Sequence, residues 1–184
     1  MVFAEPSPLT PERKGAMELE FSSQAEERFQ AILKRYPNTR AALLPTLFVA
    51  QDDFGYLSVG AMEYVAGRLE LPPSKVLNVG TFYTMYNKRP VGKYHVQVCA
   101  SISCALMGAH RLVHQLEQKL GIRLGETTED GQFTLSEVEC LASCGTAPML
   151  QINDDYHENL KTPESIDAVF KPLLGDSKKP NQGR

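Results

Sequence analysis

The sequence lacks three features that would point to a membrane, to nucleic acid or to export. Its longest apolar run, residues 41–50, is interrupted by Pro45 and Thr46 and is far shorter than the ~20 residues that a membrane-spanning helix needs. Lys and Arg number 19 against 22 Asp and Glu, and a net charge of -3 argues against a partner bound through phosphate neutralisation. The first residues contain no basic segment followed by an apolar one, so no secretory signal is recognised. We therefore expect a cytosolic protein, in which thiols stay reduced.

Two phosphate-binding motifs are also missing. The chain contains neither a P-loop nor a G-x-G-x-x-G motif that opens a βαβ unit. Both motifs bind phosphates through a glycine-rich backbone next to a helix. We therefore expect no dinucleotide site in this chain alone.

What is present falls into two regions with different hydrophobic periods. Residues 1–21 and 175–184 show no sustained apolar period and are expected to be flexible ends. Residues 22–90 show helical spacing, whereas residues 91–174 mix strand-like and helical patterns. We therefore predict a small helical subdomain followed by an α/β domain.

Four short amphipathic helices are predicted within residues 22–90. Ser23 with Glu26 fits a capping box for the first helix, which Pro37 ends. The second apolar stripe is ended by the sequence DDFG, Ser58 precedes the third helix, and the fourth begins at about Ser74. One such helix cannot bury its own apolar face, so the four imply one packed subdomain.

The α/β region is predicted to have the order β-α-β-β-α. The strands are YHVQVC, QFTLSEVEC and PMLQIN, with a helix over residues 106–120 after the first. Asp154 and Asp155 are interpreted as a turn, and the last helix starts near Pro163. This order matches a small sheet covered by two helices, as in a thioredoxin-like domain.

The four cysteines form two close pairs, each at the end of a predicted strand: Cys99-x4-Cys104 and Cys140-x3-Cys144. The sheet is expected to bring both pairs to one pocket. Disulfides are disfavoured by the reducing compartment, and a redox dithiol favours Cys-x-x-Cys. A structural zinc site accepts such pairs, and a [2Fe–2S] cluster needs two thiolates for each iron. On spacing alone, the iron–sulfur interpretation leads zinc without excluding it.

The residues around the cysteines are mostly apolar and carry little acid–base chemistry. Ser101, Ser103, Ser143 and Thr146 are expected to donate hydrogen bonds to sulfur, together with loop amides. Hydrogen bonds raise the potential of such a cluster and burial lowers it. This setting favours electron transfer over bond-making catalysis.

The sequence around the cysteines resembles a known family over about residues 24–173. The segments LPTLFVAQDDFGYLS, VGTFYTMYN and LGIRLGETTEDGQFTLSEVECLASCGTAPMLQINDDYHENL are similar to the thioredoxin-like [2Fe–2S] subunit of the NADH dehydrogenase module of respiratory complex I, the E-subunit family of NADH-quinone oxidoreductases. Related small subunits serve NAD-linked hydrogenases and formate dehydrogenases. A zinc-stapled adaptor without a redox role is the alternative from another class.

This resemblance implies an electron-transfer subunit that does not oxidise NADH by itself. Cys99 and Cys104 would hold one iron of a [2Fe–2S] cluster, and Cys140 and Cys144 the other. FMN and NADH would be bound only by the partner subunit, an iron–sulfur protein braced by the helical region within the complex I peripheral arm. The complex would lie on the cytoplasmic side of the inner membrane. Where the family often has glycine, this chain has Ala142, whose Cβ predicts an ordinary backbone angle.

Other candidate residues are interpreted more simply. His110 and His114 lie one turn apart on the helix face away from the leucines and are expected to be solvated. Pro148 stands where thioredoxin-like folds often place a cis proline. Phe82 and Tyr83 fit either an exposed partner contact or the core.

Overall fold

A computed structural model describes residues 19–175, so residues 1–18 and 176–184 of the expected flexible ends lie outside the described part. The order within it is four helices, then a strand, two helices, three strands with a 3-10 turn among them, and a last helix. The predicted α/β class is confirmed. Leu19 and Phe21, assigned from the sequence to the flexible N-terminus, pack against the first hydrophobic core.

The first half consists of α1 (Ser23–Arg35), α2 (Leu43–Phe54), α3 (Val59–Leu69) and α4 (Pro73–Phe82). The predicted capping box is wrong by one residue, because Ser22 is the N-cap and its Oγ accepts from the amide of Ala25. Ser58 directly precedes α3 as predicted, and its Oγ caps the helix by accepting from the amide of Ala61. Gly55, at φ 83°, ends α2 in the left-handed conformation that glycine adopts without strain.

The four helices bury one hydrophobic core, which includes Phe29, Leu47 and Val65. Glu26 does not cap α1; instead, both of its carboxylate oxygens accept hydrogen bonds from Arg68 Nη2, each at 2.7 Å. Arg68 also lies 4.5 Å from the ring centroid of Phe29. This ion pair therefore ties the start of α1 to the end of α3.

The second half contains β1 (Tyr94–Cys99), α5 (Ile102–Leu106), α6 (Ala109–Leu120), β2 (Phe133–Val138), β3 (Leu150–Ile152), β4 (Asp155–His157) and α7 (Pro163–Leu174). The sheet order is β2-β1-β3-β4. β1 pairs with β2 in parallel, and β3 is antiparallel to both β1 and β4. The hydrophobic core of this second half lies between the sheet and the helices α6 and α7, and it includes Leu116 and Phe170.

Two predicted elements of this half differ in the structure. The helix over residues 106–120 is two helices, because Gly108 takes φ 103° between α5 and α6, and Leu106 is 82% exposed rather than on the buried face. The predicted turn at Asp154 and Asp155 is shifted, because Asp155 pairs with Ile152 in β4. β4 was not predicted, since its three residues carry no hydrophobic alternation.

None of the helices within residues 19–175 has the length and apolarity to span a bilayer.

Candidate metal centre

The site lies at the edge of the sheet where β1 and β2 both end. The two strands are parallel, and Cys99, the last residue of β1, is in register with Val138, the last residue of β2. Because parallel strands place their carboxyl ends at the same edge, the two segments that follow them start side by side. Cys104 lies within α5 after β1, and Cys144 begins the 3-10 turn Cys144–Thr146 after β2. The structure thus brings together the two pairs that the sequence predicts.

The two pairs differ in exposure. Cys99 and Cys104 are 3% and 2% exposed and form a small apolar cluster with Ala109, Ala147 and Met149. Cys140 and Cys144 are exposed to solvent. One pair is therefore fixed in the core and the other lies at the surface.

All four cysteines are free thiols, and they interact with one another. The side chain of Cys99 contacts those of Cys104 and Cys140, and Cys104 interacts electrostatically with Cys144. In residues 19–175 no three His, Cys, Asp or Glu side chains converge closely enough to hold one metal ion. Two pairs of thiols suit a binuclear cluster, which takes two thiolates on each iron.

The backbone supplies hydrogen bonds that favour a thiolate at Cys99. Burial raises the pKa of this thiol, but hydrogen bonds from the amides of Leu141 and Ser101 and from the two neighbouring thiols outweigh burial, so the pKa is lowered. Burial and the interaction with Cys99 raise the pKa of Cys104 to about 11. The surroundings therefore favour a thiolate at Cys99 more than at Cys104.

The exposed pair is carried by a loop with unusual backbone geometry. The amide of Ala142 donates to Cys140 Sγ at 3.4 Å. Ala142 itself takes φ 59°, so the expectation of an ordinary backbone angle there is wrong. The left-handed conformation turns the loop so that this amide faces the sulfur, at a steric cost that glycine would avoid. The Ala147–Pro148 bond that follows is cis.

The hydroxyls of this loop do not donate to sulfur as expected from the sequence. The Ser143 hydroxyl bonds to the Glu158 carboxylate, and Thr146 Oγ1 donates to the same oxygen at 2.6 Å. Tyr156, in β4, donates from its hydroxyl to the carbonyl of Leu141 at 2.8 Å. Sequence reasoning missed both residues. Tyr156 lies in a strand that was not predicted, Glu158 directly follows that strand, and neither residue belongs to a recognisable motif.

The two histidines of α6 and the aromatic residues at the end of α4 all lie away from the cysteine pairs in sequence. His114 Nε2 lies 3.0 Å from Gln118 Nε2 on the exposed face of α6, as the solvated interpretation requires, and His110 is also exposed. Phe82 is 76% exposed and packs edge-on against Tyr83 with ring centroids 5.0 Å apart. Phe82 is therefore a surface residue and not part of the core.

Comparison with known proteins decides the family. The family model for the thioredoxin-like [2Fe-2S] ferredoxin matches residues 29–174. The chain belongs to this family. The match of the thioredoxin-like [2Fe–2S] ferredoxin model extends across both halves of the chain, as the sequence resemblance predicted.

Named relatives of this ferredoxin point to one kind of complex. The E subunit of the NADH-quinone oxidoreductase of Rickettsia felis is 49% identical over 150 residues, which is 80% of this chain and 89% of the relative. An E subunit of Rhizobium meliloti, the one numbered 2, is 46% identical over 145 residues, covering 79% of this chain and 86% of the relative. The predicted resemblance to the E subunits of these oxidoreductases is confirmed.

A solved structure shares the fold. The crystal structure of an NAD+-reducing [NiFe]-hydrogenase in the air-oxidized state superimposes with a TM-score of 0.63 at 22% identity. The match covers 73% of this ferredoxin and 23% of that longer chain. At this identity the likeness shows the fold alone.

Proposed function

We propose that this ferredoxin is the electron-transfer subunit of an NADH:quinone oxidoreductase and that Cys99, Cys104, Cys140 and Cys144 hold its [2Fe–2S] cluster. The observation that carries the proposal is the meeting of both cysteine pairs at one sheet edge, fixed by the parallel register of β1 and β2. When bound, the cluster supplies a one-electron couple whose potential depends on charge, hydrogen bonds and exposure.

The two cysteine pairs have different surroundings, and these surroundings support different roles for them. The apolar cluster around Cys99 and Cys104 excludes water from one side, and the amides of Leu141 and Ser101 stabilise negative charge on sulfur. The exposed pair, Cys140 and Cys144, leaves the other side open to a partner. These contacts stabilise the cysteine sulfurs and provide no group that would transfer a proton to or from a substrate. The chain is therefore proposed to carry electrons only.

The proposed partner is the subunit that binds FMN and NADH, within the peripheral arm of the complex. Next to Cys104, the exposed side chains of Ile102, Leu106 and Met107 are 75%, 82% and 49% accessible. Large apolar side chains exposed on one short segment are typical of a protein interface. We propose that the partner covers this surface on the cytoplasmic side of the inner membrane, which suits four free thiols.

Cluster content tests the ligand assignment. The full chain, purified anaerobically, is expected to contain about two irons and two acid-labile sulfides, with visible absorption and an EPR signal after reduction. Cys140→Ser or Cys144→Ser is expected to remove or alter that signal, and His110→Ala, on the exposed face of α6, is the control. A colourless protein with one zinc and no sulfide would refute the proposal.

Co-expression tests the partner. We expect a tight heterodimer with the FMN-binding subunit. Leu106→Glu is expected to weaken this heterodimer while leaving the cluster spectrum unchanged, because the Leu106 side chain is 82% exposed in the chain by itself. A heterodimer that forms equally well with Leu106→Glu would place the interface elsewhere.

A further inference from the structure

The loop that carries the exposed cysteine pair is fastened to the segment after β4 by one carboxylate. Glu158 Oε1 accepts hydrogen bonds from the hydroxyls of Ser143 and Thr146. These two hydroxyls also lie 2.8 Å from each other, so the three groups form one network. Ser143 directly precedes Cys144, so the network reaches the backbone of a proposed ligand.

The backbone of the same segment reinforces this attachment. The amide of Asn159 donates to the carbonyl of Thr146 at 2.8 Å, and the amide of Leu160 donates to the carbonyl of Pro148 at 3.0 Å. Leu160 is buried in the sheet core, which anchors the segment. Glu158 is thus a charged side chain on an anchored backbone, and the loop is held against it.

Glu158 also takes up the hydrogen-bond donors of the Ser143 and Thr146 hydroxyls. Hydroxyls that bond to a carboxylate do not donate to sulfur, and donation to sulfur is one of the effects that raise a cluster potential. Hydrogen bonds from Ser143 and Thr146 lower the pKa of Glu158, so its side chain is an anion at neutral pH. A fixed negative charge disfavours the addition of an electron to a nearby cluster.

We propose that Glu158 is a positioning residue for the cluster site: through Ser143 and Thr146 it holds the loop of Cys140 and Cys144, and its charge keeps the reduction potential low. The inference rests on the proposed function, because it takes these cysteines as ligands. It differs from that function in naming a group that binds no iron and acts through its neighbours.

Two substitutions separate the holding role from the charge. Glu158→Gln keeps an oxygen that accepts a hydroxyl hydrogen bond and removes the charge. Glu158→Asp keeps the charge and shortens the reach to the hydroxyls. Glu129→Gln is the matched control, because Glu129 is exposed and precedes β2, at the opposite edge of the sheet.

The first experiment titrates the full chain with dithionite, which supplies one electron per cluster, and follows the reduced form by EPR. Glu158→Gln is expected to raise the reduced-to-oxidised ratio at a fixed potential by about threefold to tenfold, tenfold being ~59 mV for one electron. The shift should shrink in 1 M salt, where the screening length is about 3 Å. A Glu158→Gln shift no larger than that of Glu129→Gln, in a protein that still carries its cluster, would overturn the role of the charge.

The second experiment measures amide hydrogen exchange of residues 142–145 in the cluster-free chain, so it needs no assembled cluster. Glu158→Asp is expected to speed this exchange, and Glu158→Gln to leave it nearly unchanged. Ser143→Ala combined with Thr146→Val removes both hydroxyls and should match Glu158→Asp. Unchanged exchange in this double variant would refute the holding role. A wild-type chain without iron would instead refute the proposed function.

Discussion

Ala142 offers a direct test of the loop geometry. Its φ of 59° costs a residue with a Cβ roughly 1–2 kcal/mol relative to glycine. Glycine in turn loses roughly 0.4–1 kcal/mol through its greater freedom in the unfolded chain. Because Ala142 is exposed, its methyl group contributes little burial. Ala142→Gly is therefore expected to stabilise the protein by about 0.5–1 kcal/mol, contrary to the usual effect of adding glycine.

The assay is unfolding of the cluster-free chain in urea and by heat, followed by circular dichroism. For a chain of this size, about 1 kcal/mol corresponds to a rise of ~2–4 °C in Tm. The hydrogen bond from the residue 142 amide to Cys140 Sγ needs no side chain, so cluster assembly should be retained.

Gly121→Ala is the converse control. Gly121 takes φ +69° at the end of α6, and an added Cβ would meet no atom within 4 Å. Its replacement therefore measures the backbone cost by itself, and a loss of about 1 kcal/mol is expected. If Gly121→Ala behaves in this way while Ala142→Gly destabilises the chain, then Ala142 does not occupy the left-handed region and the account of the loop is wrong.

Three further predictions concern charged and ionisable side chains. Arg68→Met should lower the free energy of unfolding by about 1–2 kcal/mol, since it removes a paired contact to Glu26 and a cation–π contact, and urea titration measures it. The hydrogen bond from Arg68 lowers the pKa of Glu26, so this stabilisation is complete above the ordinary glutamate pKa and is lost as pH falls through the lowered value. Urea midpoints of wild type and Glu26→Gln should therefore converge as the pH falls below the ordinary glutamate pKa, and a difference that stays constant over that range would contradict this sign. His110→Ala should leave the EPR spectrum of the cluster unchanged, because His110 is exposed on α6, and loss of the signal would show that the ligands are misassigned.

The main architecture could be predicted because its signals are local. Stripes of apolar residues indicated the four N-terminal helices, and alternation indicated β1 and β2. Ser58, which does cap α3, shows that such a signal works when one side chain has one role. The capping signal failed at the start of α1, because Glu26 forms an ion pair with Arg68, which is distant in sequence, and does not take part in the cap. Long-range pairing of this kind cannot be recognised from neighbouring residues.

The convergence of the two cysteine pairs could be predicted from the sequence, but the residues that support them could not. Cysteine is rare in this chain, and two pairs at strand ends restrict the chemistry by themselves. Glu158 is an ordinary exposed glutamate in the sequence, and only the approach of the segment after β4 to the loop of Ser143 gives it a role. Ala142 was misjudged for a related reason, since the bond from its amide to Cys140 favours a backbone angle that its side chain alone would disfavour.

The unequal burial of the two cysteine pairs fits an electron carrier better than a structural staple. A staple gains most from enclosing all its ligands, because solvent then has no access to the metal. Here Cys99 and Cys104 are built into the core, whereas Cys140 and Cys144 lie on a surface loop. This division suits an electron carrier, since the buried pair fixes the geometry and the exposed pair leaves one side of the site open to a redox partner. The same exposure makes the attachment of the loop to Glu158 important, because Cys140 and Cys144 themselves lie outside the buried core.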